Sequence, residues 1–428
     1  MTAGGDPRDG LRVERALRLL PDIDALVPLR AILVSASRGR RREEPHRTVG
    51  KQLVRTSELP EYARRAAALA SDHLATLFEA AVGALRAEEH GDEAAAVRSL
   101  LTAGVLEERV GRRTPARAWY EHALRIAEGL RDRGPELDTL LHLGHLEAVA
   151  GSLDASARHF QRCLVLAEAA GAGEPAALAA EGLGRVAAAQ GRWSGAASWF
   201  ARAIGQAGAD DRLTARILRS VAEVAFERGR IDEAGSAIAR SRSLSLAHGD
   251  REGLGLLLNL QGRIDARARR FAEGLDQVRG ALALLQEANA RPAVELGVRL
   301  TLGQLLFESE RLPEAEDELR RAEELAIMHN LTLHLARLYV LMGKVRGLQQ
   351  DETGFVFFEK AIELCRGREP SPVLEAETYL EYAVFRRQFG EVEESRAYLE
   401  RAREIFETSG DRPTLARVDA ELAQLPAS

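Results

Sequence analysis

The segment Leu183–Ala203, LGRVAAAQGRWSGAASWFARA, indicates how this chain folds. Small residues and one large apolar residue alternate in it at Gly184, Ala196, Phe200 and Ala203. Two helices approach closely only where their side chains are small, and a large residue then fills the gap beside the contact. Gly191 favours a turn in the middle of the segment. The segment therefore predicts a helical hairpin whose two helices are in close contact.

The same pattern recurs eight times along the chain. Its first small position is occupied by Gly104, Gly144, Gly184, Ala222, Gly262, Gly303, Gly343 and Ala383. These positions are separated by 40, 40, 38, 40, 41, 40 and 40 residues. Eleven or twelve residues later a second small position is occupied by Ala116, Ser156, Ala196, Ala234, Gly274, Ala315, Gly354 and Ser395. Four residues further, the large position is occupied by Tyr120, Phe160, Phe200, Ile238, Val278, Leu319, Phe358 and Leu399. After three more residues, a third small position is occupied by Ala123, Cys163, Ala203, Ser241, Ala281, Ala322, Ala361 and Ala402.

This pattern resembles the signature of tetratricopeptide repeats (TPR), and the resemblance covers about residues 95–410. The period near 40 residues, longer than the usual period of about 34, is similar to the longer-repeat variety. That variety is found in kinesin light chains and in bacterial regulators that sense peptides or sugars. The resemblance implies an all-α fold, a right-handed α-solenoid of about eight hairpins over residues 95–410. It also implies an inner, concave face formed mainly by the first helix of each hairpin.

The two ends of the chain differ from the repeats. Residues 1–10 are predicted to form a disordered tail, and residues 11–94 a helical segment with a basic linker at 37–47. The apolar segment Ile23–Val34 either folds back on the first hairpin or docks a partner. Residues 411–428 are expected to form a capping helix and a tail, because Leu415, Val418, Leu422 and Leu425 share one helix face.

Composition excludes several classes of function. The formal net charge is −6 and basic residues are interspersed with acidic ones, which argues against a nucleic-acid partner. No apolar run reaches the length of about 20 residues that spans a bilayer, so no membrane insertion is expected. Two cysteines, Cys163 and Cys365, lie far apart in the sequence. Such usage is typical of a reducing compartment, and the expected location is cytoplasmic.

No catalytic, cofactor or metal motif emerges from the sequence. The segment from Gly182 to Ala187 superficially resembles a dinucleotide loop, but no strand precedes it. His142 and His145 are three residues apart and His159 follows on the next predicted helix, yet no carboxylate or cysteine completes a ligand set. We therefore expect no enzymatic activity, no catalytic residue, no metal and no cofactor.

The informative surface is the predicted inner face of hairpins three to five. Its predicted partner-binding residues are Glu181, Arg185, Arg216, Arg219, Glu223, Asn259, Arg263 and Arg267. Arginines bind carboxylates through forked donors, and an asparagine amide pairs with peptide backbone. A solvated helix face also carries mixed charges, and that explanation stays open.

These features predict a non-enzymatic scaffold or adaptor that binds a peptide or acidic segment of another protein in its concave groove. An alternative remains open: a regulatory module of a bacterial signalling or transcription system that responds to a peptide or small ligand. The alternative is mechanically reasonable, because an array whose units contact only their neighbours deforms easily.

Overall fold

A computed structural model describes residues 47–49, 52–54, 76–77, 79–84, 87–88, 90–367 and 370–426. Helices dominate this part of the chain. Those of the first four hairpins are α1 (Glu93–Arg109), α2 (Arg113–Ala127), α3 (Gly134–Val149), α4 (Leu153–Ala170), α5 (Gly173–Ala189), α6 (Trp193–Ala207), α7 (Asp211–Glu227) and α8 (Ile231–Ala247). The following ones are α9 (Arg251–Arg267), α10 (Phe271–Glu287), α11 (Pro292–Glu308), α12 (Leu312–Met328), α13 (Thr332–Leu348), α14 (Gly354–Arg366), α15 (Pro372–Gln388), α16 (Val392–Ser409) and α17 (Arg412–Ala423).

The helices pack as consecutive antiparallel pairs, which confirms the all-α repeat fold. Within the described residues there are eight such hairpins, α1–α2 through α15–α16, and α17 follows the last one. The chain divides into two compact units. One contains the residues up to Thr139 together with Ile327–Asn330, and the other contains Leu140–Ala326 and the residues from Leu331 onward.

Before the first hairpin, the structure differs in part from the prediction. Two three-residue strands, β1 (Arg47–Val49) and β2 (Gln52–Val54), pair antiparallel with Arg47 opposite Val54. The sequence analysis expected no strand here, although β-branched residues at 48, 49 and 54 favour one. The predicted tail 1–10, the apolar segment 23–34 and the linker residues before Arg47 lie outside the described residues.

Helical residues at 76–77, 79–84 and 87–88 pack on the first hairpin. Leu77, Ala81 and Ala84 are buried in one cluster with apolar residues of α1 and α2, such as Leu100 and Trp119. In the first unit, the described part of the N-terminal segment therefore covers an apolar face of hairpin one.

All four repeat positions are buried in all eight hairpins, as the pattern predicts. The contact is closest between the first small position and the large position of the same hairpin. A Cβ atom added to Gly144 would lie 2.5 Å from the Phe160 ring, and one added to Gly343 would lie 2.6 Å from the Phe358 ring. Where the first small position is alanine, in hairpins four and eight, the large residue is aliphatic. Glycine also faces an aliphatic residue in hairpins five and six, so an aromatic ring requires glycine, whereas an aliphatic residue tolerates either glycine or alanine.

The turn inside every hairpin contains a residue with positive φ, seven residues after the first small position. Five of the eight turns have glycine there, which adopts this conformation without steric cost. The other three have Arg269, Glu310 and Gln350, with φ of 63°, 60° and 56°. A left-handed conformation costs a residue with a side chain about 1 kcal/mol. Three hairpins in succession therefore carry a strained turn.

An ion pair closes the turn in four hairpins. It joins the residues that stand three and eight positions after the first small position. The carboxylate comes first in two pairs, and the arginine comes first in the other two: Glu107–Arg112, Asp265–Arg270, Arg346–Asp351 and Arg386–Glu391. Both polarities occur at equivalent positions, so these four turns share the attraction and not a fixed order of charges.

Aspartates cap several first helices. The Asp250 side chain accepts a hydrogen bond from the Gly253 backbone N–H at 2.8 Å, and the Asp411 side chain accepts one from the Thr414 N–H at 3.1 Å. Each follows a glycine with positive φ, Gly249 or Gly410, that ends the preceding helix. These pairs fix where one hairpin stops and the next begins.

We expect Gly144→Ala to lower the free energy of unfolding by about 1–3 kcal/mol, because the added methyl group overlaps the Phe160 ring. Gly235 in α8 is the matched control, since a Cβ there would meet nothing within 4 Å. Gly235→Ala should raise the free energy of unfolding by about 0.5–1 kcal/mol through helix propensity. Urea denaturation followed by circular dichroism measures both, and equal effects would contradict the proposed contact.

We expect Arg270→Asp to destabilise the chain by about 1–3 kcal/mol, because it leaves the buried Asp265 carboxylate beside a like charge. Adding Asp265→Arg creates the polarity that Arg386–Glu391 already has, and it should recover at least half of that loss. The comparison requires urea unfolding of the two single variants and the double variant. Strict additivity of the three values would refute the role of the pair.

Candidate functional site

The candidate surface is built from the first helices of hairpins three to six, α5, α7, α9 and α11. Each contacts the first helix of the next hairpin, so their exposed faces are adjacent within the second unit. The predicted residues Glu181 and Arg185 lie on α5. On α7 and α9 lie Arg216, Arg219, Glu223, Asn259, Arg263 and Arg267.

Glu181 differs from the expectation that it faces a partner. Its side chain is buried, with only 3% of its residue surface exposed. The Ser220 hydroxyl donates a hydrogen bond to Glu181 Oε1 at 2.6 Å, and Arg216 Nε lies 3.4 Å from Oε2. The carboxylate joins α5 to α7, and we leave it out of the proposed surface.

The side chains of three other predicted residues form no hydrogen bond and no ion pair within the described part of the chain. Arg185 is exposed, while Arg219 and Glu223 are half-buried. The side chain of Arg216 is 44% exposed, and one of its nitrogens, Nε, forms an ion pair with Glu181. The adjoining faces of α5 and α7 therefore carry the three arginines Arg185, Arg216 and Arg219 together with the half-buried carboxylate of Glu223.

The positive charge of these arginines affects the pKa of His145 on α3. Its pKa is lowered from 6.5 to about 4, first because burial strips water from the imidazolium and then because Arg216, Arg185 and His142 lie nearby. The ring packs edge-on against Phe160 with the centroids 5.1 Å apart. His145 is neutral at pH 7 and adds no charge to the surface.

Arg263 and Arg267 on α9 form a second group around Phe226. The guanidinium carbon of Arg263 lies 4.6 Å from the centre of the Phe226 ring, and that of Arg267 lies 3.9 Å from it. Arg263 also donates a hydrogen bond to Glu227, and Arg267 Nη1 donates one to the Phe226 backbone carbonyl at 2.7 Å. These contacts tie α9 to α7 and hold both guanidinium groups in fixed positions.

A cleft of about 680 Å³ opens beside this group. It is lined by Phe226, Arg263, Ala266, Arg267, Arg269, Phe271, Leu300, Thr301, Gln304, Leu305 and Glu308. Only Arg263 and Arg267 among these were predicted as site residues, so the sequence analysis missed the cleft. Its residues come from hairpins four, five and six, and some occupy equivalent repeat positions: Arg267 and Glu308 both stand five residues after the first small position.

Asn259 also lies on α9, four residues before Arg263. The residue is half-buried, and its Oδ1 atom is buried without a hydrogen-bond partner in the structure. A buried carbonyl oxygen without a donor costs about 1–3 kcal/mol, so a bound donor such as a peptide N–H would stabilise it.

Toward the end of the array, cations of the first helices are paired with the next first helix. Lys344 Nζ lies 3.0 Å from Glu381, and Arg387 Nη2 lies 2.9 Å from Glu421. Both cations are therefore engaged within the fold. Arg185 on α5 and Arg219 on α7 have no such partner within the described residues.

Among the described residues, no three His, Cys, Asp or Glu side chains are grouped closely enough to hold a metal ion. In the same part of the chain, no helix has the length and apolar character needed to cross a bilayer. Cys163 and Cys365 are both buried and form no disulfide.

Comparison with known proteins identifies the fold. No protein-family model matches this chain, and no curated protein matches its sequence. The chain is similar to the apo form of the quorum sensor NprR from B. thuringiensis at 15% identity and a TM-score of 0.50, covering 81% of this chain and 97% of that one. It is also similar to a Rap protein complexed with Competence and Sporulation Factor at 10% identity and a TM-score of 0.48, covering 97% and 98% of the two chains. Similarity to yeast Tom70 has 12% identity and a TM-score of 0.43, covering 85% and 88%. At such identity the similarity to NprR concerns the fold alone, which is a TPR-type helical repeat.

We expect Arg185→Gln to raise the pKa of His145, because it removes one nearby positive charge that disfavours the imidazolium. NMR titration of the His145 ring measures the shift. Arg240→Gln on α8, a second helix, is the control and should leave that pKa unchanged. Since the folded-state pKa lies below the unfolded value of 6.5, the stability that His145 contributes is lost as pH falls from about 6.5 to about 4. An unchanged pKa in Arg185→Gln would contradict the described electrostatics.

Proposed function

We propose that this protein is a non-enzymatic adaptor that binds a peptide segment of a partner protein along α5, α7 and α9. The observation that carries the proposal is that Arg185 and Arg219 have no ion-pair partner within the described residues. Arg216 lies next to them and contacts Glu181 through Nε. Arginine remains charged at any physiological pH and binds carboxylates through two parallel hydrogen bonds. The segment recognised is therefore acidic.

Two further residues extend the proposed surface along α9. The unpartnered Oδ1 of Asn259 supports recognition of a backbone N–H, and Arg263 and Arg267 present guanidinium nitrogens that their internal contacts leave unused. Glu223 belongs to the same surface and favours a partner with alternating charge. The partner is a protein; nothing in the surface calls for a nucleic acid.

We further assign the array to the longer-repeat TPR variety, on its period near 40 residues. In this proposal residues 95–410 form the array, residues 411–428 form a capping helix and tail, and residues 11–94 form an N-terminal helical segment or cap with the basic linker at 37–47. The two cysteines are buried and form no disulfide, which supports a reducing, cytoplasmic location.

A second candidate function is a regulatory module that responds to a peptide or small ligand. The favouring observation lies within the second unit, where Gly151 packs so tightly against the side chain of Val373 that a Cβ would overlap it. The turn at Gly191 likewise lies against Pro413. A ligand that changes the angle between successive hairpins would alter these contacts, because they join residues far apart in the sequence.

Selection from a displayed library of random decapeptides tests the adaptor function. We expect the full-length protein to enrich peptides rich in Asp and Glu, with affinity that falls as salt rises. Arg185→Glu combined with Arg219→Glu should weaken the selected peptides at least about tenfold, since two charged hydrogen-bonding partners are lost. Neither residue supports an internal ion pair, so the fold should remain intact.

Arg240→Glu combined with Arg242→Glu is the matched control, because both residues are exposed on the second helix α8. This variant changes the net charge equally and should retain the peptides. Absence of acidic enrichment, or equal affinity of the two double variants, would reject the proposal.

A further inference from the structure

The cleft beside Phe226 has one cationic wall. Arg263, Arg267 and Arg269 all line it, whereas Glu308 is the single carboxylate in its lining. Glu308 already accepts a hydrogen bond from Gln304 at 2.7 Å. Arg263 and Arg267 each donate one hydrogen bond within the fold, and a guanidinium has five N–H groups. Donors therefore remain for an anion.

Arg269 is the least constrained of the three. Its side chain is exposed and forms no hydrogen bond or ion pair within the described residues; its guanidinium carbon lies 5.8 Å from the centre of the Phe271 ring. Its backbone adopts a φ of 63°, at the turn position where five of the eight hairpins have glycine. Residues held in such conformations occur preferentially at functional sites, and this one brings a charged side chain to the edge of the cleft.

Besides the polar side chains of Thr301, Gln304 and Glu308, the cleft has apolar walls. Ala266, Phe271, Leu300 and Leu305 contribute them, and Phe226 lies beneath the two stacked arginines. Leu305 is buried, and Phe271 and Leu300 are partly buried against the same core cluster. The volume of about 680 Å³ lies in the range of roughly 300–1,000 Å³ that is typical of small-ligand sites.

We propose that this cleft binds a single carboxylate carried on an apolar body. The carboxylate accepts hydrogen bonds from the free nitrogens of Arg267 and Arg269, and the apolar body packs against Phe271, Leu300 and Leu305. One anionic group suffices, because Glu308 also lines the cleft and repels a second negative charge. A neutral amide of the same shape lacks the charge that the arginines recognise.

A free small carboxylic acid and the carboxyl-terminal residue of a peptide share this chemistry. The inference deepens the proposed function, because Arg263 and Arg267 belong to both surfaces. It nevertheless has its own determinant in Arg269, which the peptide surface along α5 and α7 does not include.

Isothermal titration of the full-length protein with 4-phenylbutyrate tests the site, with 4-phenylbutanamide as the neutral probe. We expect the acid to bind and the amide to bind at least about tenfold more weakly. Arg269→Gly removes the guanidinium and relieves the strained turn, so it should weaken the acid at least about tenfold while the thermal unfolding midpoint stays the same or rises.

Gln350→Gly is the matched control, since it relieves the same strain at the equivalent turn of hairpin seven, outside the cleft. It should bind the acid as tightly as the unchanged protein. A second arm compares the peptide Ac-Gly-Gly-Leu with a free and an amidated carboxyl terminus. Tighter binding of the free terminus, again lost in Arg269→Gly, supports the site and identifies a peptide terminus as its occupant.

Equal binding of acid and amide in both arms, or no effect of Arg269→Gly, would overturn the inference. The variant with Arg185→Glu and Arg219→Glu separates this result from the proposed function. It should lose the selected acidic peptides but still bind 4-phenylbutyrate, because neither residue lines the cleft.

Discussion

The architecture depends on one steric contact, between the residue at the first small position and the large residue of the same hairpin. At Gly144 and Gly343 there is no room for a methyl group, because an aromatic ring occupies the space. Repeated through eight hairpins, this contact holds each helix pair at a short distance, and successive first helices then contact one another. The candidate surface exists because these helices are adjacent.

The charges on that surface serve two purposes. Some hold the array together: Glu181 joins α5 to α7, Glu227 receives Arg263, and Lys344 pairs with Glu381. Partly buried pairs of this kind fix the register between helices, and exposed pairs add little stability. Arg185 and Arg219 take part in no such pair within the described residues, and that is why they carry the proposed recognition. The distinction between structural and available cations cannot be made by counting arginines.

The sequence alone predicted the hairpins well, because the small–large–small pattern expresses a local steric requirement that each repeat satisfies by itself. It failed at Glu181, which stands three residues before the first small position, as Arg219 and Asn259 do in their hairpins. Only Ser220 and Arg216 on the neighbouring helix make Glu181 an internal link. The cleft was missed because its walls come from three hairpins. The ion pairs that close the turns were detectable, since opposite charges recur at fixed offsets with both polarities.

A double-mutant cycle at Gly343 and Phe358 tests the central steric contact most directly. Hairpin eight already combines an alanine at the first small position with a leucine at the large position, Ala383 with Leu399. We therefore predict that Phe358→Leu partly offsets the loss of stability caused by Gly343→Ala. The loss in the double variant should be smaller than the sum of the two single losses by at least about 1 kcal/mol. The quantity to measure is the free energy of unfolding in urea. Strictly additive losses would mean that the glycine and the ring do not share one space, and the account would be wrong.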